Sequence, residues 1–70
     1  GGRVKLNERF VSPQEIGGPL SAITTGLGVR IYRDDRPIGF WEPGAQQLQT
    51  GDLIIEIVES EGLGTGGEPA

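Results

Sequence analysis

The first regular pattern lies between residues 4 and 10, where apolar and polar positions alternate. Val4, Leu6 and Phe10 share one parity, and Glu8 is the polar exception in that series. A period of two is typical of a strand that buries one face. We therefore predict a first, half-buried strand whose apolar parity packs against the core.

A second pattern, over residues 29–41, predicts a β-hairpin. Residues 29–33 alternate between apolar and polar, Asp34 and Asp35 are turn formers, and residues 36–41 return the chain. Pro37 has no N–H to donate to a neighbouring strand. The returning strand is therefore predicted to lie at a sheet edge or to begin just after Pro37.

A third stretch, residues 53–58, is almost continuously apolar. It contains four β-branched residues: Ile54, Ile55, Ile57 and Val58. Such residues are enriched in strands, and strands covered on both faces lose the alternation of half-buried ones. We predict that this segment is the central strand of the sheet, with both faces buried.

Between the first strand and the hairpin, the sequence predicts one short helix. Pro19 suits a first helical position, Leu20 and Ile23 are three residues apart, and Gly26 ends the segment. About two helical turns fit this interval. The predicted fold class is α+β: a small, mostly antiparallel β-sheet with one short helix.

Glycine-rich and polar ends bound the folded unit. Residues 1–2 are predicted to be a frayed start or an artificial remnant, and residues 61–70 a disordered tail. The folded domain is thus predicted to span residues 3–60.

The composition makes self-association an expectation. The chain has 70 residues, of which 34% are hydrophobic, with 13 glycines and no cysteine. At this size a single core rarely supplies more than about 3–5 kcal/mol. We expect stabilisation by dimerisation or by membership of a larger protein.

Missing residue types and net charge narrow the function. The chain has no Cys and no His, so it lacks thiolate nucleophiles, zinc–sulfur sites and the commonest general base. We predict a protein that is not an enzyme, with no catalytic residue, metal ligand or cofactor, and the absence of Cys fits a reducing compartment. A net charge of −4 disfavours nucleic-acid binding. No apolar run approaches the roughly 18 residues that span a bilayer, so no direct membrane insertion is expected.

Turn chemistry accounts for the acidic residues. Gly51 and Asp52 are predicted to form a structural turn, in which Gly51 supplies the backbone conformation and Asp52 accepts hydrogen bonds from backbone amides. Four further carboxylates are predicted to be solvated in turns, with a cation site as the alternative. They are Glu15, Asp34, Asp35 and Glu42.

Arginines and aromatic residues are the remaining candidates for ligand-binding and interface residues. Three arginines near the hairpin are predicted to pair with acidic residues of the turn or with Glu42; an anionic ligand is the alternative. They are Arg30, Arg33 and Arg36.

Phe40 and Trp41 are adjacent, so a strand would turn one of them outward. The predicted interface residues are Leu20, Ile23, Phe40 and Trp41.

Two segments together resemble a known family. Residues 28–38 form an alternating strand, a tight turn and a second strand, and residues 48–57 read Leu-Gln-Thr-Gly-Asp followed by an apolar strand. This order resembles the C-terminal subdomain of the regulators of potassium conductance, also called the TrkA C-terminal domain. The resemblance implies that the family's first strand and following helix correspond to an upstream set of residues: Val11, Pro13, the glycines at 17 and 18, Leu20 and Ile23.

The resemblance implies a regulatory function. It implies a homodimerising subdomain on the cytoplasmic side of the membrane, attached to a potassium channel or potassium uptake system, that couples ligand state to gating. In that family a preceding nucleotide-binding domain carries the dinucleotide motif. Residues 26–28 lack the third glycine of such a motif, and no motif identifies a small-molecule effector.

A second function class remains open at this point. Residues 26–29 resemble the carboxylate-binding loop of a PDZ-like peptide-binding module, and residues 48–57 resemble its Leu-x-x-Gly-Asp strand. The alternative is therefore a PDZ-like module or another small β-rich adaptor domain.

Overall fold

The computed structural model describes residues 2–60, which form one antiparallel sheet and three 3₁₀ turns. The strands are β1 (Val4–Phe10), β2 (Leu27–Arg33), β3 (Arg36–Gly39) and β4 (Leu53–Glu59). The 3₁₀ turns are Pro13–Glu15, Leu20–Ala22 and Pro43–Gln46. The sheet order is β1-β4-β2-β3, and every neighbouring pair is antiparallel. The chain is therefore a small β-rich domain.

The predicted hairpin is confirmed over residues 29–39, but the returning strand ends at Gly39, so Phe40 and Trp41 lie in the turn after it and not in a strand. β2 and β3 pair with Arg33 opposite Arg36, so Asp34 and Asp35 alone form the loop. Both have positive φ, 54° and 64°, as in the mirror-image turns whose twist matches that of paired strands. Aspartate tolerates this conformation better than most residues. β3 is an edge strand, as Pro37 predicted.

The predicted central position of β4 is also confirmed, because β4 lies between β1 and β2. The prediction that both of its faces are buried is met only in part. Ile54 is 0% exposed on one face and Ile55 is 9% exposed on the other, but Leu53 and Ile57, on the same face as Ile55, remain partly exposed. The core packs against one face of the sheet, and the other face is only partly covered.

The predicted helix is wrong. The chain makes a single 3₁₀ turn at Leu20–Ala22, and Ile23 is already extended. Glycines at 17 and 18 precede this turn, and Thr24, Thr25 and Gly26 follow it. Such residues are poor helix formers. Two helical turns add too few hydrogen bonds to offset the unfavourable free energy of helix nucleation. The described part of the chain contains no α-helix, so the α+β assignment is replaced by a β-rich one.

The core lies under one face, which we call the covered face. Its buried residues are Leu20, Ile31, Ala45, Leu48 and Ile54. The 3₁₀ turns bring Leu20 and Ala45 over the sheet. Leu20 approaches β2 closely at Gly28, where a Cβ would lie only 2.6 Å from the leucine side chain. Glycine at that position is therefore required for core packing.

The predicted orientation of β1 is wrong. Val4, Leu6 and Phe10 are 65%, 66% and 69% exposed, and the polar parity, including Asn7 and Arg9, lies on the covered side. β1 pairs in register with β4, with Asn7 opposite Glu56. The polar side chains of β1 therefore supply partners for a buried carboxylate.

The predictions for Gly1 and for residues 61–70 lie outside the described residues. None of the helical turns within residues 2–60 is long and apolar enough to cross a membrane.

Candidate functional site

The face of the sheet opposite the core is the main candidate site, and we call it the open face. Directly opposed residues of antiparallel strands point to the same side of a sheet. The strand register therefore arranges the open face in rows across the sheet. The rows are Val4 and Glu59; Leu6, Ile57 and Leu27; Glu8, Ile55, Arg30 and Gly39; Phe10, Leu53, Tyr32 and Pro37.

Large apolar side chains of this face are exposed to solvent. Besides the three apolar residues of β1, Leu27 of β2 is 66% exposed. Trp41 is 68% exposed, and its ring occupies the space where a Cβ of Gly39 would lie, which places it on the open face. Phe40 packs edge-on against Trp41, with ring centroids 5.2 Å apart. Contiguous exposed apolar patches on small proteins mark interaction surfaces.

The four predicted interface residues fall in different environments. Leu20 is 1% exposed and belongs to the chain's own core, and Ile23 packs against that core. Phe40 and Trp41 are exposed. Sequence reasoning missed the exposed residues of β1 and Leu27. The signal that could have identified the β1 residues is Glu56, a carboxylate in an otherwise apolar strand. A buried carboxylate needs hydrogen-bond donors, so the polar side chains of the paired strand must lie on its face and the apolar ones on the opposite face.

A polar cluster on the covered face fixes β1 to the rest of the chain. Glu56 is 1% exposed and accepts hydrogen bonds from Asn7, Arg9 and Thr25. Burial opposes ionisation of Glu56, but these donors and the charge of Arg9 outweigh it and lower the pKa of Glu56. Arg9 also forms a two-bond ion pair with Glu15, at 2.8 and 2.7 Å. That pair, mainly through its hydrogen bonds, lowers the pKa of Glu15 to about 2.

A second buried ion pair anchors the loop between β3 and β4. Arg33 donates to both carboxylate oxygens of Asp52, at 2.9 and 2.8 Å, and also to the carbonyl oxygen of Gly44. Asp52 is 0% exposed and accepts the N–H of Gln49 at 2.8 Å. Burial opposes its ionisation, yet the bonds from Arg33 and Gln49 lower the pKa of Asp52. Gly51, with φ of 89°, makes the turn that precedes it.

The arginines near the hairpin do not form the predicted ion pairs, and of the four carboxylates predicted to be solvated in turns only Asp34 and Asp35 are exposed turn residues. Arg33 pairs with Asp52, whereas pairing with the turn aspartates or with Glu42 was expected. Glu42 accepts the backbone N–H of Gly39, and Glu15 is held by Arg9. Within residues 2–60, no group of three or more acidic side chains lies close enough together to hold a metal ion.

A cleft of about 380 Å³ lies beside the polar cluster. Arg9, Glu15 and Thr25 line it, together with Ser12 and Ile23. Its two charged residues are paired with each other, and Thr25 is bonded to Glu56. The cleft therefore presents no charged group that is free to act on a ligand.

Acidification is expected to destabilise the domain as pH falls from about 4.5 towards about 2, the range set by the ordinary and folded pKa values of Glu15. Asp52 and Glu56 shift in the same direction. A carboxylate whose pKa is lower in the folded state contributes stability above its unfolded pKa, and this stability is lost as the pH falls through the folded pKa. Urea unfolding at a series of pH values measures the loss.

The Glu15→Gln variant is the control for this prediction. It removes one titrating carboxylate, so its free energy of unfolding is expected to be lower near neutral pH and to change less steeply with pH. A wild-type free energy of unfolding that does not fall between about pH 5 and pH 2 contradicts the assigned ion pairs.

No family model matches this chain, and neither the curated proteins nor the solved structures contain a significant match.

Proposed function

We propose that this chain is a non-enzymatic regulatory module that acts by packing the open face of its sheet against a second copy. Its setting is the cytoplasmic side of the membrane, as a dimerisation subdomain of a potassium channel or potassium uptake system. The observation that carries the proposal is the uncovered apolar face, on which Leu6, Phe10 and Leu27 are each more than 60% exposed.

The thinness of the core supports docking of this face. Five residues form the buried hydrophobic cluster, and all of them lie on the covered-face side of the sheet. A four-stranded sheet with one apolar face left in water loses the burial that stabilises small domains. A second layer over the open face would give the two-layer architecture common to stable domains.

The potassium setting is supported by the order of residues 28–38 and 48–57, which resembles the C-terminal subdomain of the regulators of potassium conductance. In that setting the dimer transmits the ligand state of a preceding nucleotide-binding domain to the pore. A change in the packing of the two copies would bias the gate between its conformations.

Peptide binding of the PDZ type has less support. Residues 27–29, assigned in that alternative to a carboxylate-binding loop, lie in β2, and Leu27 is paired with Ile57 of β4. That alternative also needs a helix after the last strand, a segment that lies outside the described residues.

Substitution of Leu27 by Asp is expected to abolish self-association and leave the domain folded. Leu27 is 66% exposed, so a charge there costs the single chain little but would be buried in the dimer. Sedimentation of wild type over a wide concentration range should show a dimer, and Leu27→Asp a monomer. Ile16→Asp is the matched control, because Ile16 is an exposed apolar residue outside the sheet. A wild type that stays monomeric overturns the proposed dimerisation.

The same two substitutions test the potassium setting in the intact protein. We expect Leu27→Asp at the chromosomal locus to alter rubidium uptake and growth at limiting potassium, and Ile16→Asp to leave both unchanged. A Leu27→Asp strain that matches wild type at limiting and at excess potassium would overturn the potassium assignment. Dimerisation in solution would still stand in that case.

A further inference from the structure

The open face carries a mirrored pattern on either side of β4. β1 and β2 flank β4, and their open-face residues occupy the same rows. In one row Leu6 matches Leu27, and in another Phe10 matches the aromatic residue Tyr32. In the row between them, Glu8 lies on one side of Ile55 and Arg30 on the other. Equivalent positions thus carry residues of like size, and the charged positions carry opposite signs.

This pattern defines how the proposed dimer is built, and the inference rests on the proposed function. We propose that two copies pack open face to open face about a two-fold axis parallel to β4. β1 of each copy then lies over β2 of the other, and Glu8 faces Arg30 of the partner subunit. Both ion pairs form together, because a two-fold interface repeats every contact.

The axis direction follows from the charges. An axis parallel to β4 exchanges the positions of β1 and β2, so each Glu8 meets an arginine. An axis across the strands, along the same row, would set Glu8 over Glu8 of the partner subunit and Arg30 over Arg30 of the partner subunit. Like charges brought together at an interface are repulsive, and opposite charges select partner and orientation. Either axis aligns the strands of the two sheets, as in sandwiches whose layers lie about 10 Å apart, so the charges alone decide between the two axes.

The size of this contact predicts a reversible dimer. The overlapping part of each sheet is three strands wide, because β3 extends past the edge of the partner's β1. Strand spacing and rise give a footprint of roughly 15 by 20 Å. Stable complexes bury about 800 Å² per partner, so this contact is small. We expect dissociation constants in roughly the micromolar range, with Trp41 at the margin of the interface.

Charge reversal tests the proposed axis. Glu8→Arg places two arginines opposite each other, and Arg30→Glu places two glutamates opposite each other. Each variant alone is expected to dimerise at least about tenfold more weakly than wild type at low salt. An equimolar mixture of the two is expected to recover dimers, almost all of them heterodimers, because both opposed pairs are then of opposite sign. Native mass spectrometry with one variant isotopically labelled counts the species.

The mixture separates contacts between copies from effects within one chain. Glu8 and Arg30 are both exposed, so both variants are expected to fold, which circular dichroism checks. The charge environment inside each variant chain is the same in a homodimer and in a heterodimer. Preferential heterodimers therefore report only on contacts between copies.

The homodimers of the two variants decide between the axes. Weaker dimerisation of each variant than of wild type, together with heterodimer enrichment in the mixture, supports the axis parallel to β4. About an axis across the strands, like charges already face each other in wild type, so single variants that dimerise as tightly as wild type overturn the axis parallel to β4. A dimeric wild type whose two variants mix statistically, or remain monomeric together, overturns this axis and leaves the proposed dimerisation standing. A wild type that is monomeric at all concentrations overturns both.

Discussion

Asp52→Asn is expected to unfold most of the domain under conditions in which the wild type is folded. Asp52 is 0% exposed and bonded through both oxygens to Arg33. Asparagine keeps the shape of the side chain but removes the charge and presents an N–H₂ group to the N–H donors around it. Removing one partner of a buried ion pair costs about 3–5 kcal/mol. A domain of this size has about the same total stability.

Asp35→Asn is the matched control, because it makes the same chemical change at an exposed residue of the hairpin turn. Asparagine tolerates the positive φ of that position, so we expect the urea midpoint of this variant to stay close to that of wild type. Equal midpoints for Asp52→Asn and Asp35→Asn would show that the Arg33–Asp52 pair does not hold the loop in place.

The hairpin and the place of β4 could be predicted because the information is local. Asp34 and Asp35 favour a tight turn, and Pro37 restricts its strand to a sheet edge. The run of β-branched residues at 53–58 strongly favours a strand. Each of these inferences depends on neighbours within a few positions of the chain.

The orientation of β1 could not be predicted from its own alternation. Alternation shows that the two faces differ, but it does not show which face meets the core. Here the decision depends on Glu56, 49 residues away from Asn7 in sequence. A buried carboxylate needs donors, and Asn7 and Arg9 on β1 supply them. The apolar parity of β1 is therefore turned to the open face.

Phe40 and Trp41 were predicted as interface residues, but the exposed residues of β1 and Leu27 were missed for the same reason. An exposed apolar face and a buried one carry the same residues, so hydrophobicity alone assigned Val4, Leu6 and Phe10 to the core. The pairing of Arg33 with Asp52 likewise joins residues 19 positions apart. Only the sheet register brings the mirrored residues of β1 and β2 to either side of β4.

Two alanine substitutions on β4 are expected to separate stability from association. Ile54 is 0% exposed and belongs to the core cluster, so Ile54→Ala should lower the free energy of unfolding by about 3 kcal/mol. Ile57 lies three residues on, on the open face, and is partly exposed. Ile57→Ala should lower the stability of the single chain by about 1 kcal/mol or less, since little buried volume is lost.

The order of the two effects reverses for the dimer. In the proposed arrangement Ile57 lies close to the two-fold axis, so one substitution shortens the side chain in both copies at the centre of the contact. Ile57→Ala should therefore weaken dimerisation about tenfold or more. Urea unfolding at dilute concentration measures the first effect, and sedimentation of the folded protein measures the second. If Ile57→Ala destabilises the dilute monomer as much as Ile54→Ala does, both faces of β4 belong to the core. The open face would then not be the docking surface.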